Sequence, residues 1–559
     1  LRALKRATKV TFVFLILFCH SYFISFAQNP DKLEYKAKIL EGGRKDGVDF
    51  KKLIGDVKIT QKQTVIYCDS ALVYEKTNSM EAFGHVKIND LEDSVTITSE
   101  KLFYHGNGRT AELRDNVVYV DDSIRLYTDN LDYDMTNKSA TYFGGGRILD
   151  GVNTIDSRRG NYDTVGKMMI FNDSVKLVTP DYTMESDDLF YNIVTEKART
   201  TTENTITTKD GKVLTSKKGS EFDTRLGAYA FMEGEIDTEK YYIKGDELYY
   251  NNALGAYTAK GNVYLFAKSD EVIISGQKAD YWEDKGIARI YGDPLLKKLM
   301  NQDTMYLRAD TLISIDDSLE VNKRLLAFNN VRIFKTDLQG KADSLSYFLA
   351  DSSIVFYQDP ILWNDGSQIT ADTIQILIKD GTIDRLNTKA NSFIISEDST
   401  KNFNQIKGRL MTAFFNGKHL KNVDVTGNGE TIYFVPDEEN TSIVVGMNRI
   451  VCSNMKIEFL ENQVNDIRFY TNPDGRFIPP HELKEDDKML EGFAWKIADR
   501  PTREEIITNA GKDDKTEPDA GEEPVEKKPE LGKLEDGKID VRRAKDQIQK
   551  AGNQRLKQQ

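Results

Sequence analysis

Cysteine is nearly absent: three in 559 residues support neither a disulfide framework nor a zinc cluster. Cys19 falls in an N-terminal apolar run, so Cys68 and Cys452 read as two free thiols. Histidine is as rare. His85, His105, His419 and His481 lack metal-binding spacing, and His481-Glu482 is followed by Glu485 where a second histidine would complete a zinc motif. No G-x-S-x-G elbow and no P-loop occurs, and Gly144-Gly145-Gly146 sits where neighbouring repeats place a turn. The adjacent acids Asp121-Asp122, Asp187-Asp188 and Asp316-Asp317 read as solvated turns, not as catalytic or calcium-binding pairs, because neighbours on a strand point to opposite faces. A basic stripe is also missing from a chain of net charge -13, which argues against nucleic acid as a partner. Neither a cofactor, a metal nor catalysis is expected.

What is present is a leader and a long repeat. Arg2, Lys5, Arg6 and Lys9 precede an apolar run from Val10 to Phe26 and a small-residue cleavage pattern at Ser25-Phe26-Ala27, which predicts a cleaved export signal over 1–27. Tyr74, Tyr104, Tyr133, Tyr162 and Tyr191 then recur about every 29 residues, and the pattern returns at Tyr250, Tyr281 and Tyr347. Between them, Gly84-His85-Val86-Lys87-Ile88, Asp115-Asn116-Val117, Asp173-Ser174-Val175, Gly261-Asn262-Val263 and Asn330-Val331 pair turn residues with alternating apolar ones. No segment before about residue 480 has a helical period. The fold expected is all-β, an elongated stack of about three short strands per repeat, of solenoid or jelly-roll type.

The boundaries expected are the signal at 1–27, a first repeat stack at 28–235 and a second, continuous one at 236–478. A helical cap at 479–500 and a charged, largely disordered tail at 501–559 follow. Residues 197–233, rich in Thr, Lys and Gly, fit the repeat poorly and read as a bend or looser unit. The cap would be an amphipathic helix with Leu483, Met489, Leu490, Phe493 and Trp495 on one face. It would cover the C-terminal strand edge and leave the N-terminal edge near Gly55 to Tyr67 for docking. Inward apolar candidates are Val57, Ile59, Val65, Tyr67, Val86, Ile88, Val95, Ile97, Leu102, Tyr104, Val117, Tyr119, Leu131, Tyr133, Val175, Leu177, Val263 and Leu265. Two sheets lined this way either close as a dry core or stay open as a trough.

Gly55-Asp56-Val57-Lys58-Ile59, then Val65-Ile66-Tyr67-Cys68-Asp69-Ser70-Ala71-Leu72-Val73-Tyr74, then Met80-Glu81-Ala82-Phe83-Gly84-His85-Val86 resembles the OstA-like (LptA) family of lipopolysaccharide-transport proteins. The likeness is clearest over 53–177 and recurs over 243–361. It implies a jelly-roll trough in the periplasm of a Gram-negative bacterium. The trough would hold lipid A acyl chains and pass lipopolysaccharide towards the outer membrane, without catalysis. The implied partners are lipopolysaccharide and inner- and outer-membrane transport proteins docked at the strand edges, with self-association through the same edges. The chain departs from the family's small bridge proteins in its length, helical cap and acidic tail. A structural or adhesive solenoid with a closed core is the alternative, and a polysaccharide-processing β-helix enzyme a more distant one.

Overall fold

A computed structural model describes residues 32–508, apart from positions 46, 93, 123, 269–270, 301–302, 365, 380–381, 417–418, 438 and 461–462. The expected signal at 1–27 and the tail beyond 508 lie outside the described residues. The chain forms two compact units that divide between Thr195 and Glu196. No helix among the described residues is long and apolar enough to cross a membrane.

In unit 1, long strands from Val48–Gln61 to Tyr182–Asn192 follow one another as an antiparallel meander. Alternate strands are bent halfway. The bends fall at Gly55-Asp56, Gly84-His85, Asp115-Asn116, Gly144-Gly145 and Asp173-Ser174, where two successive residues take positive φ. Left-handed backbone costs an ordinary residue roughly 1–2 kcal/mol, which explains why Gly, Asn and Asp gather there. Gly84 is constrained twice, by φ +75 and because a Cβ would lie 2.4 Å from the Asp69 carboxylate. The residues expected to open new strands are thus corners inside one strand. Each repeat has two long strands, where three short ones were expected.

Each corner is a bulge at which two residues oppose one: pairing runs Ile54 with Ser70, then Val57 with Cys68. The bent strand keeps its inward phase, as in Met80, Ala82, Val86 and Ile88. The partner strand shifts by one. Ile66 and Cys68 point inward before the corner, Ala71 and Val73 after it, leaving an outward polar doublet, Asp69-Ser70. Glu100-Lys101, Asp129-Asn130 and Arg158-Arg159 fall at the same place in the following repeats.

Every strand therefore contributes half its length to each of two arms, which face each other across an apolar interior. Unit 2 repeats the plan, with corners at Gly261-Asn262, Gly292-Asp293, Asn329-Asn330, Gln358-Asp359, Ala390-Asn391 and Gly427-Asn428. Residues 197–233 follow it too. Lys197–Arg199 pairs with Ser220–Asp223 on one arm and Asn204–Thr208 with Val213–Ser216 on the other. A buried polar cluster replaces the left-handed corner: Asn204 Nδ2 donates to Thr200 Oγ1 (2.7 Å), and Ser220 Oγ donates to Asn204 Oδ1 (3.0 Å).

After Ile478 the expected amphipathic helix does not form. Residues 480–508 run as an extended strap with three 3-10 turns and one short α-helix, Arg503–Thr508. The sheet satisfies the strap's backbone, so no helix is needed to do so. Gln405 Nε2 donates to the Lys488 carbonyl (2.7 Å) and its Oε1 accepts from Leu490 N–H (2.8 Å). Gln368 does the same with the Ala494 carbonyl and Lys496 N–H, and Gln339 Oε1 accepts from Arg500 Nε. All three glutamines are almost fully buried. Leu490 packs with Phe393, Ile395, Ile432 and Phe434, and Ile506 with Leu295 and Tyr306. These positions alternate with the inward ones, so the strap covers the outer face of the second arm, not the C-terminal edge. Among the described residues, Gln463–Tyr470 and Asp474–Ile478 pair on one side only.

Candidate functional site

The site to consider is the mouth, where hairpin ends of the two arms approach each other. In unit 1 it is stapled by polar contacts. Gln61 Nε2 donates to the Gly106 carbonyl (3.0 Å), and the Tyr104 hydroxyl donates to Gln61 Oε1 (2.6 Å). Arg109 donates to Thr64 Oγ1 (3.1 Å) and pairs with Glu92, which also takes Lys138. The Tyr133 hydroxyl reaches Asp90 Oδ2 (3.4 Å), and Lys167 lies 3.6 Å from Asp121. Burial pushes the Tyr104 and Tyr142 hydroxyls up to about 12, and the Cys68 thiol to about 12. The interior behind these staples is packed with side chains save for a small apolar cavity lined by Tyr119, Leu126, Tyr142, Tyr162 and Phe171.

Val57, Ile59, Val86, Ile88, Val95, Ile97, Leu102, Tyr104, Val117, Tyr119, Leu131, Tyr133, Val175 and Val263 are buried on the inward face, and Leu177 and Leu265 are half-buried there. Val65 and Tyr67 are corrections, for they face outward, and Tyr67 is well exposed. Val65-Ile66-Tyr67 is apolar throughout and so carries no phase of its own. The ladder fixes the phase by pairing Ile66 with Ile59 and Ile88. The periodic tyrosines lie in one inward row: Tyr104, Ala111, Tyr133 and Ala140 are successive partners, followed by Tyr162, Met169 and Tyr191. Tyr74 is one position off it, and Val73 takes its place.

Unit 2 differs between Ala228 and Trp282. Its corresponding row is Tyr229, Tyr250, Tyr257 and Tyr281, each paired with the next. The rings of Tyr250 and Tyr257 stack at 4.3 Å, those of Tyr229 and Tyr250 at 5.8 Å. On the other arm Leu214, Ile236, Ile243, Leu265 and Ile274 form the inward row. All of these tyrosines and most of these aliphatics are only partly buried, so an apolar interior reaches the solvent here. Tyr241 and Tyr281 are each 38% exposed. The mouth is bridged again where Lys298 Nζ sits 5.5 Å from the Tyr347 ring centroid. The sequence reading had placed Tyr250 and Tyr281 in the repeat but missed Tyr229 and Tyr257. The tetrapeptide Leu-Gly-Ala-Tyr, present at 226–229 and again at 254–257, was the available signal.

No group of three or more His, Cys, Asp or Glu arranged to hold a metal occurs among the described residues. The arrangement offers burial of apolar matter.

Residues 33–187 match the family model described as OstA-like protein. Residues 242–382 match that of the LptA/(LptD N-terminal domain) LPS transport protein. No curated protein matches the chain. Among solved structures, LptH of Pseudomonas aeruginosa, the LptA homologous periplasmic component of its lipopolysaccharide transport device, is similar at 11% identity over 20% of this chain and 79% of its own, with a TM-score of 0.18. Through its two matched segments, one in each unit, the chain belongs to the OstA-like family of lipopolysaccharide-transport proteins.

Proposed function

We propose that the chain is a non-catalytic periplasmic bridge that holds the acyl chains of lipopolysaccharide between its two arms. The observation that carries this reading is the partly exposed apolar interior of unit 2 between Ala228 and Trp282, which falls largely within the segment matched to the lipopolysaccharide-transport family. Transfer of a buried methylene from water is worth about 0.8 kcal/mol, so a few acyl chains are held firmly without covalent chemistry. Unpaired strands at the ends of the ladder offer backbone donors and acceptors to neighbouring transport proteins or to a second copy. In unit 1, the staples and filled interior favour a second reading for that unit alone, a closed structural stack.

Photo-crosslinking in cells separates these readings. A crosslinker at inward Ile243 or Leu265 is expected to yield lipopolysaccharide adducts, and one at outward Lys244 none. Equal labelling at Ile243 and Lys244, or no adduct at either in folded protein, would overturn the trough.

A further inference from the structure

The hairpin tips beside the tyrosine row are apolar, as are those at Val165 and Val194 in unit 1. Leu226 is 45% exposed and Leu254 58% exposed. Each is held out by the same device, an Asx turn. Asp223 Oδ1 accepts from the Leu226 N–H at 3.0 Å, and Asn251 Oδ1 accepts from the Leu254 N–H at 3.1 Å. The following glycines, Gly227 and Gly255, take positive φ, and Ala228 and Ala256 are buried. Tyr229 and Tyr257 then enter the partly exposed row. The same four residues are thus used twice in the same way, on hairpins two strands apart, or roughly 10 Å.

We infer that Leu226, Leu254 and the row Tyr229, Tyr250, Tyr257 and Tyr281 form a lateral loading port for an amphiphile of the lipopolysaccharide class. This rests on the trough reading and adds where the lipid comes in. Tyrosine suits a boundary of this kind, because its ring lies with apolar matter and its hydroxyl with water. The row marks the level at which acyl chains end and a hydroxyl- or phosphate-bearing headgroup begins. Burial raises the Tyr257 and Tyr281 hydroxyls, so they stay neutral donors to such a headgroup. The exposed leucines give an arriving chain its first apolar contact at the rim. On the side towards Tyr347 the port ends at the Lys298 bridge. Unit 1 also exposes apolar tip residues on Asx turns, Val165 on Asp163 and Val194 on Asn192, but its tips at 75–78 and 106–109 carry only polar residues and glycine, and the mouth between these and the opposite arm is stapled.

The test uses the full purified chain and fluorescently labelled lipopolysaccharide, following both the rate of uptake and the amount bound at saturation. Leu226→Asp with Leu254→Asp is expected to slow uptake at least tenfold and leave the saturating amount unchanged. Gln61→Ala at the unit 1 mouth is expected to leave the rate unchanged. A photo-crosslinker at Tyr281 should give adducts before one at Ile97. Unchanged uptake by the double variant, whose exposed tips leave the fold intact, overturns the port while the trough stands. Wild-type protein that takes up no lipopolysaccharide overturns both.

Discussion

The two units follow one plan and close it differently. Unit 1 joins its arms from within, through Gln61, Arg109, Lys138 and Lys167 reaching across the mouth. In unit 2 the strap braces the second arm from outside between Leu295 and Met447, while the inward rows between Ala228 and Trp282 are partly exposed. On the outer face of the second arm, unit 1 carries Lys58, Tyr67, Lys87, Thr98 and Val118 in one row. The unit 2 row covered by the strap runs Tyr306, Phe334, Gln339, Trp363, Gln368, Ile395 and Gln405. The strap backs the arm only from Leu295 onward, so the difference teaches that bracing from behind and partial access from the front fall on separate parts of unit 2.

Each unit holds one buried thiol among its described residues, Cys68 and Cys452, and all three tryptophans, at 282, 363 and 495, lie in unit 2. Thiol labelling and tryptophan fluorescence therefore read the units separately. The largest effect expected is from Trp363→Ala, which empties a fully buried site between two strap-holding glutamines. It should destabilise unit 2 by about 3–5 kcal/mol, speeding Cys452 alkylation and leaving Cys68 as slow as before. Gln61→Ala should do the reverse, costing unit 1 about 2–3 kcal/mol because the buried Tyr104 hydroxyl and Gly106 carbonyl lose their partner. Faster labelling at both thiols in either variant would mean that the units unfold together.

Alkali should weaken both units. A tyrosine whose hydroxyl is raised by folding adds stability that is complete below its unfolded value of roughly 10 and is lost as pH climbs towards the folded one. For Tyr104 and Tyr142 that window ends near 12. Unit 1 should weaken by about 4 kcal/mol between pH 10 and 12 through these two tyrosines, and unit 2, where burial raises Tyr249 and Tyr257 further still, should weaken over the same range. Urea melts by circular dichroism and by tryptophan fluorescence should both shift to lower urea. The smallest effect concerns the corners: Gly84→Ala should cost about 1–2 kcal/mol, whereas Asn330→Gly in unit 2 should stay within about 0.5 kcal/mol. Thermal melts of both variants check this.

The repeat, the all-β class and most inward positions were legible because Val86, Ile88, Ile97 and Tyr104 alternate with polar neighbours. Phase was lost where the alternation was lost, at Val65-Ile66-Tyr67. The corners looked like turns between strands because Gly84-His85 has turn chemistry, and only the ladder shows the strand continuing through it. The strap was hidden for a different reason. Its apolar spacing fits a helix, and what holds it extended is three glutamines as much as 160 residues away in sequence, each of a type ordinarily found at the surface. The port was legible in part, through the repeated Leu-Gly-Ala-Tyr, but its partial exposure depends on how the two arms pack, which no single residue announces.

The shifted phase at each corner also limits how such a chain can change in length. One residue added between two corners would turn half a strand inside out, moving Ile66 or Ile97 into water and a lysine into the interior. Two strands added together, corner included, disturb nothing but the neighbours they separate. Length in this architecture is therefore counted in whole hairpins, and proteins of very different size can share one cross-section.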